Sequence, residues 1–409
     1  YEAAVEKVVH VDAWLRYFAM DTLLANMETS FANGGAGDYA LHIGAEDGRA
    51  TLLPYDLDSI LGMTISGLDA SIFRATFQEV PARFLRSPGF ARAYHQLLER
   101  LCEELFSPER MNPLLENVLG DWTDAAFVSQ IQGFISQRRQ LVLEQIPRVL
   151  SVEVNLPFAV PEYLRYYLAE EGTIALRGTA NALRTAKILV QGREAAWSAL
   201  EGQWVMENLP VHGGINEIVI QALDLHGEEV EEQRIRVLHE GSKTRQYAGK
   251  LQEDLVWMPG SSPIGVTSDL IIPEGLTLTV LPGTSVEFAA DAGLLVRGRL
   301  QVLGTEDHRV FFSTQRFAKQ RWSGIRFEDT MQPSRLDYVT LEWSVSPGIQ
   351  LNHARLDMTG CRWIGAYNSF ILSQYSSLAL RGCVFPNVPQ GEPIGGIGIP
   401  KDGYWIVED

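Results

Sequence analysis

The chain has 409 residues, of which 46% are hydrophobic, 10% aromatic and 21% charged. This length predicts roughly two to four domains, and the composition excludes global disorder. The formal net charge of −17, from 51 acidic and 34 basic residues, argues against nucleic-acid binding, because neutralising phosphates requires a basic surface. There is no run of about 18 uncharged apolar residues, so we expect no membrane span.

The first part of the chain, residues 1–149, is predicted to be mostly helical. Its apolar residues recur at the spacing of one helix face. Later helices in this part are expected at about 90–106, 111–119 and 124–146. Ser107-Pro108 and Asn112-Pro113 mark predicted helix starts, because proline fits the first turn, where its missing N–H costs nothing.

The hydrophobic period changes near Ile146-Pro147 from about 3.6 to about 2 residues, which indicates strands. Short alternating runs follow, separated by turn signals such as His212-Gly213-Gly214. These runs are 173–177, 187–190, 203–206, 217–222 and 233–238. Their length and spacing predict an immunoglobulin-like β-sandwich over 150–240, and the polar residues 241–253 predict a linker.

A repeat dominates the last part of the chain, where one apolar pattern recurs in steps of 20 and 22 residues. Its copies are Leu336-x-Tyr338-x-x-Leu341-x-Trp343, Leu356-x-Met358-x-x-Cys361-x-Trp363 and Leu378-x-Leu380-x-x-Cys383-x-Phe385. This period suits a parallel β-helix, whose stacked coils bury a continuous core. We predict a multidomain α and all-β protein with a right-handed parallel β-helix of roughly five or six coils over 254–390. Residues 391–409 are predicted to be a cap or tail.

The repeat also assigns positions within each coil. Leu356 and Leu378 are expected inside the β-helix, where replacement by alanine would leave a cavity. Asn352 and Ser376 are expected at coil corners, where substitution should cost much less.

Three cysteines, Cys102, Cys361 and Cys383, are too few for a disulfide framework. Cys361 and Cys383 occupy one coil position and are expected to stack inward as small apolar side chains. Neighbouring coils lie about 4.8 Å apart, so a disulfide between them is an alternative that the sequence leaves open.

The turn Asp56-Leu57-Asp58 is the main candidate for chemistry. It follows the apolar run Leu52-Leu53, which predicts the end of a strand, and alternate residues of a strand share a face. Two carboxylates on one face repel each other unless a cation lies between them, and Mg²⁺ prefers carboxylate oxygens. The alternative interpretation is a turn whose aspartates cap backbone N–H groups.

Short motifs around this turn occur in an order that resembles the spore-coat protein H (CotH) kinase family. They are a helix beginning at His10-Val11-Asp12, the polar loop Asn26–Thr29, the strand Asp38–Leu41 and the turn Pro54–Asp58. The resemblance covers about residues 8–146 and implies a helical region like the C-terminal lobe of an atypical kinase. It also implies binding of ATP with Mg²⁺ or Mn²⁺ and phosphorylation of protein side chains.

By this resemblance Asp56 is the principal metal ligand and Asp58 is its neighbour. Glu28 stands where the family has its catalytic aspartate, and Asp38, where asparagine is more usual, is an alternative base. Phosphoryl transfer depends on positioning at about the ångström scale, so the longer side chain of Glu28 is expected to slow or abolish the reaction.

The chain opens at Tyr1 without a methionine or a leader, so we expect a processed product or an internal fragment. A kinase also needs a first lobe with a phosphate-binding lysine and a covering loop, which we expect to precede this start. Lys7 is interpreted as a solvated surface residue. Whether the chain is an enzyme is therefore left open.

Three functions from different classes are compatible with the sequence. The first is a secreted or surface protein with a CotH-type kinase region, and the second is a non-enzymatic extracellular scaffold for adhesion or assembly. The third is a carbohydrate-active β-helix enzyme. It ranks last because polysaccharide lyases of that shape generally need carboxylates beside Lys or Arg on one outer face, and Lys319 and Lys401 are the only lysines beyond residue 254. We expect export from a bacterial cell, and either a protein substrate or a cell-surface assembly partner.

Overall fold

The computed structural model describes residues 1–28, 37–63, 67–158, 166–241, 245–314, 321–365, 369–385, 397–398 and 404–408. The chain divides into two compact units. The first comprises residues 1–153, 176–206 and 220–233, and the second comprises residues 154–175, 207–219 and 234–409. Across the described stretches, no helix combines the length and the apolar character that a membrane span requires.

The first unit begins with a helical region. Its described helices are α1 (Glu2–Val5), α2 (Val11–Leu24), α3 (Glu79–Leu85), α4 (Pro88–Glu103), α5 (Pro108–Leu119) and α6 (Ala125–Gln145), with a 3-10 turn at Arg74–Phe77. In α4, Phe90, Tyr94, Leu97 and Leu98 recur at helical spacing and are buried. They pack in one core with apolar residues of α2 and α3, so these helices are stabilised by tertiary contacts.

Helix α5 begins at the predicted start Ser107-Pro108, which is earlier than the apolar pattern over 111–119 indicates. The pattern over 111–119 places a start at Asn112-Pro113, whereas the helix begins at Pro108 and contains Pro113. Pro108 occupies the first helical position, where proline is best tolerated. Pro113 lies close to this end of the helix, and its missing N–H removes one backbone hydrogen bond.

The region between the helices and the solenoid consists of short strands. They are β3 (Tyr167–Ala169), β4 (Thr173–Thr179), β5 (Lys187–Val190), β6 (Arg193–Glu194), β7 (Ala196–Ser198), β8 (Gln203–Pro210), β9 (Gly214–Leu223) and β10 (Glu229–His239), and they follow the hairpin strands β1 (Tyr39–Ile43) and β2 (Ala50–Pro54). All five predicted alternating runs lie within these strands. One sheet has the order β3-β10-β9-β5-β6 and a second has the order β4-β8-β7. The immunoglobulin-like sandwich is expected to be antiparallel, whereas β3 and β10 pair in parallel. The immunoglobulin-like arrangement therefore stays a prediction.

The second unit contains a β-solenoid of about six turns, which confirms the solenoid expected from the repeat. Its strands are β11 (Arg245–Lys250), β12 (Leu255–Trp257), β13 (Ile264–Ile272), β14 (Thr277–Val280), β15 (Ser285–Phe288), β16 (Leu294–Val296), β17 (Arg299–Leu303), β18 (Val310–Thr314), β19 (Ile325–Asp337), β20 (Val339–Glu342), β21 (Ile349–Thr359), β22 (Arg362–Ile364), β23 (Ile371–Gln374), β24 (Ser377–Arg381), β25 (Ile397–Gly398) and β26 (Tyr404–Glu408). Successive coils pair in parallel, as in the ladder β15, β18, β20 and β22.

The parallel ladders extend beyond residues 254–390. Strand β11 lies within the stretch expected as a linker and pairs in parallel with β13. Strands β25 and β26 lie within the stretch expected as a cap or tail and pair in parallel with β23 and β24. The other residues of 391–409 lie outside the described part of the chain.

The solenoid core consists of apolar side chains that repeat from coil to coil. Leu356 pairs with Leu378 in the register of β21 and β24, and both are buried as expected. Phe288 and Trp322 stack with ring centroids 4.2 Å apart. Stacking of like positions in successive coils gives the solenoid one continuous core.

Candidate functional site

The hairpin of β1 and β2 positions Asp38 next to the turn that follows β2. The two strands are antiparallel, and Tyr39 pairs with Pro54. The residue before β1 therefore lies beside the residues after β2. The Asp38 carbonyl oxygen accepts hydrogen bonds from the Tyr17 hydroxyl at 3.1 Å and from the Tyr55 N–H at 3.4 Å.

The backbone of Asp56 and Asp58 differs from the sequence expectation. Strand β2 ends at Pro54, so the two aspartates lie beyond it, and the alternation of a strand does not apply to them. Asp56 has φ +53° and Asp38 has φ +64°. These left-handed conformations are sparsely populated by residues other than glycine, but aspartate tolerates them better than most.

Glu28 is positioned by the chain segment that leaves helix α2. Arg74 donates to the carbonyl oxygens of Asn26 and Met27 at 2.6 and 2.7 Å. The Asn26 side-chain oxygen accepts the N–H of Glu28 at 3.3 Å. Together these bonds hold the segment just before Glu28.

Two backbone hydrogen bonds join this segment to the turn after β2. The Met27 N–H donates to the Ser59 carbonyl at 3.4 Å, and the Leu61 N–H donates to the Leu24 carbonyl at 2.8 Å. The segment that carries Glu28 and the turn that carries Asp58 therefore lie side by side.

The four carboxylates interact electrostatically. Partial burial raises the pKa of Asp38, and the charges of Asp56, Glu28 and Asp58 raise it further, in that order. Asp38 Oδ2 is buried and has no hydrogen-bond partner among the described residues. The acidic surface, defined here as Glu28, Asp38, Asp56 and Asp58, thus concentrates negative charge around a carboxylate oxygen without a donor.

The described residues contain no preformed cluster of three or more His, Cys, Asp or Glu side chains with metal-binding geometry. The Asp56 carboxylate has no hydrogen-bond or ion-pair partner within the described ranges. Asp58 accepts a hydrogen bond from the Ser59 hydroxyl at 3.2 Å. Since Mg²⁺ is usually held by one or two carboxylates together with substrate phosphates and water, this surface fits a cation that arrives with a nucleotide.

An apolar cavity of about 470 Å³ adjoins the acidic surface. Its lining includes Leu57, which directly follows Asp56, and Pro54, the last residue of β2, together with Tyr17, Asp21 and Leu24 of helix α2. The volume is within the range of small-molecule sites.

Asp21 lines this cavity and was not singled out from the sequence. Burial raises its pKa to about 7, against the opposing effects of the Arg74 charge and of Asn26, while Asp38 raises it further. Tyr17, Asp21 and Leu24 are spaced by four and three residues, so they share one face of α2. A carboxylate on a partly apolar helix face is the signal that could have revealed it.

These features define a helical region with an acidic surface and an apolar cavity in a chain that ends in a β-solenoid. Residues 1–122 match the family described as CotH kinase protein. The resemblance to this family is therefore confirmed for residues 1–122, less than a third of the chain. The motifs extended the resemblance to residue 146, beyond the part that matches.

Two curated relatives match shorter parts of the chain. Inner spore coat protein H of Bacillus subtilis (strain 168) is 32% identical over 116 residues, which are 28% of this chain and 31% of that protein. Protein bark beetle of Drosophila melanogaster is 32% identical over 74 residues, which are 18% of this chain and 2% of that protein. The chain thus spans about a third of the spore-coat relative, and no solved structure matches.

Proposed function

We propose that the acidic surface binds Mg²⁺ or Mn²⁺ together with ATP, and that the protein transfers phosphate to a protein side chain. The observation that carries this proposal is that the segment before Glu28 lies beside the turn that carries Asp58, while Asp38 lies beside the residues that follow β2. The charges of Asp56, Glu28 and Asp58 add to the effect of burial in raising the pKa of Asp38, which is consistent with this arrangement. These carboxylates come from the positions that correspond to the CotH motifs, and residues 1–122 match that family.

Each residue has a distinct role in this proposal. Asp56, whose carboxylate is free of protein partners in the described ranges, binds the metal, and Asp58 stands beside it. The bound cation neutralises the phosphate charge. Glu28 or Asp38 accepts the proton of the substrate hydroxyl, which requires hydrogen-bond reach to that hydroxyl.

Calorimetric titration of Mn²⁺ with ATP into the full chain tests the binding step. We expect Asp56→Asn to weaken binding strongly, because one charged ligand is lost, and Asp12→Asn to leave it unchanged. Asp12 is the matched control because it is highly exposed on helix α2 and pairs only with Arg16 among the described residues. Equal binding by wild type and Asp56→Asn would show that the acidic turn is structural.

Transfer of radiolabelled phosphate from ATP tests the catalytic step. We expect incorporation into the protein itself or into surface proteins, and a loss in Glu28→Gln or Asp38→Asn that identifies the base. Metal binding without any transfer would separate a nucleotide-binding protein from a kinase.

The second candidate function is a non-enzymatic extracellular scaffold. Its support is the solenoid of about six turns with one continuous core, which suits a rigid surface element. The spore-coat relative supports a location at a bacterial surface for either function. Fractionation of cells that express the natural gene tests this location, and recovery only from the cytosol would contradict it.

A further inference from the structure

A second cavity, of about 770 Å³, lies within the second unit, and nothing assigned above explains it. Three arginines line it, namely Arg234 and Arg236 of β10 and Arg362 of β22. Glu217 of β9 supplies a carboxylate to the same lining. A concentration of guanidinium groups is notable in a chain with a net charge of −17.

The lining carries more positive charge than Glu217 can balance. Glu217 lies 3.3 Å from Arg236 Nε and 3.7 Å from Arg234 Nη1. Arg234 also reaches Asp307, an exposed residue, at 3.9 Å. By contrast, the Arg362 guanidinium has no hydrogen-bond or ion-pair partner in the part of the chain that the structure describes.

A buried network of charged groups adjoins these arginines and does not cancel the excess positive charge of the lining. Glu342 interacts electrostatically with Arg236, accepts a hydrogen bond from the Tyr166 hydroxyl, and has its pKa raised by burial, which disfavours its charged form. Arg309 is buried and donates to Thr340 Oγ1 and to backbone carbonyls. Burial lowers the pKa of Arg309 to about 10, the charge of Arg362 lowers it further, and the charge of Glu217 opposes both effects. Against burial, Tyr166, Glu342 and Glu217 raise the pKa of Arg236, so the positive charge that the network leaves unpaired is that of Arg362.

The cavity also offers an aromatic surface. Phe158 and Tyr167 line it and stack with centroids 4.6 Å apart and planes inclined by 25°. Phe158 is half-exposed, so part of its ring is accessible to a ligand. Aromatic rings favour stacked contacts with other rings, and guanidinium groups bind carboxylates and phosphates through paired hydrogen bonds.

We propose that this cavity binds an anionic ligand in which a ring adjoins a carboxylate or phosphate group. Arg362 holds the oxyanion, and Phe158 and Tyr167 contact the ring. Acidic sugars and nucleotides share this chemistry. The site is independent of the acidic surface, because it uses none of the carboxylates of the first unit.

Calorimetry of the full chain at low salt, in the presence of a chelator, tests the proposal. The probes are digalacturonic acid with its uncharged methyl ester, AMP with adenosine, and inorganic phosphate. We expect at least one charged ring compound to bind about tenfold or more tightly than both its uncharged counterpart and phosphate alone. Comparison of digalacturonic acid with AMP shows whether the ligand is an acidic sugar or a nucleotide. The chelator removes metal-dependent binding at the acidic surface.

Variants locate the binding. We expect Arg362→Gln to weaken the binding of the charged ring compound by about tenfold or more. We expect Phe158→Ala to weaken the binding of the ring compound and to leave the binding of inorganic phosphate unchanged. Arg355→Gln is the matched control, since Arg355 is exposed on the solenoid strand β21 and does not line the cavity. Circular dichroism checks that each variant is folded.

Three results at the cavity itself would overturn the inference. They are absence of binding by both charged ring compounds, equal binding of phosphate alone, and unchanged binding in Arg362→Gln and Phe158→Ala. Loss of binding in Asp56→Asn instead would assign the ligand to the acidic surface and would also overturn it.

Discussion

Arg138 donates two hydrogen bonds to the carbonyl oxygen of Thr22, from Nε at 3.1 Å and from Nη2 at 2.8 Å. Its Nη1 donates to the carbonyl oxygens of Leu68 and Ala70 at 2.9 and 2.6 Å. This one buried guanidinium of helix α6 therefore supports the C-terminal turn of α2, from which the segment carrying Glu28 emerges.

Replacing Arg138 with methionine should lower the free energy of unfolding by roughly 3 kcal/mol, because buried carbonyl oxygens lose their donors. Gln137→Met is the control, since Gln137 is exposed on the same helix. Urea unfolding followed by circular dichroism in the helical band measures both. Equal midpoints for the two variants would show that water replaces the guanidinium at little cost.

Asp21 should make the stability of the first unit depend on pH. Its pKa is about 7 in the folded protein and 3.8 in the unfolded reference. The folded state therefore binds this proton more tightly, and stability falls as the pH rises from about 4 to about 7. Asp21→Asn removes this penalty, so the variant should be more stable than wild type above pH 7, on the order of 2–4 kcal/mol, and nearly equal below pH 4.

The measurement is urea unfolding of wild type and Asp21→Asn at several pH values. The exposed Asp12 provides the comparison, because Asp12→Asn should shift stability little and without this pH profile. A constant difference between wild type and Asp21→Asn at all pH values would mean that Asp21 ionises normally in the folded protein.

The sequence predicted the solenoid well because every coil must bury the same positions. Leu356 and Leu378 occupy the same position in successive coils, where an apolar side chain must fill the core, and both are buried. The site was harder to predict. The order of its motifs pointed to Asp56 and Asp58, but Asp56 lies beyond the end of β2 and has a left-handed φ, which the alternation of a strand does not predict.

Long-range polar contacts were also beyond the sequence pattern. Arg138 and Thr22 are 116 residues apart, and nothing local marks Arg138 as buried. Ser376 reads as a corner residue, yet its side chain is buried and takes part in hydrogen bonds between coils. Such contacts depend on how distant elements meet, which a periodic pattern does not encode.

The thiols should differ in reactivity. Cys361, Cys383 and Cys102 are all free in the structure. The neighbouring Cys361 thiol holds the pKa of Cys383 below its usual range, whereas burial raises the pKa of Cys361 and raises that of Cys102 to about 11. The thiolate is the reactive form, so iodoacetamide at neutral pH should modify Cys383 first.

Mass spectrometry of peptides from the folded protein measures this order. Cys383→Ser should suppress the fast alkylation, and Cys102 should react only after denaturation. Alkylation of Cys102 at the same rate as Cys383 in the native protein would contradict the assignment.

The solenoid should show three graded costs of substitution. Leu378→Ala removes buried methyl groups between stacked coils and should lower the free energy of unfolding by about 2–5 kcal/mol. Ser376 accepts the Ala354 N–H at 3.0 Å and donates to the Gln374 carbonyl at 2.7 Å, so Ser376→Ala leaves a buried donor unpaired. That loss should cost about 1–3 kcal/mol, which revises the small effect expected for a corner.

Asn352→Ala is the reference for these two variants, because Asn352 is exposed on β21 and pairs through its backbone with Glu328 and Gln374. Its cost should be within about 0.5 kcal/mol. Thermal unfolding of the full chain, followed by circular dichroism in the strand band, ranks the three. If Ser376→Ala unfolds at the same temperature as Asn352→Ala, the hydrogen bond from Ala354 contributes nothing to coil stacking, and only the apolar ladder holds the coils together.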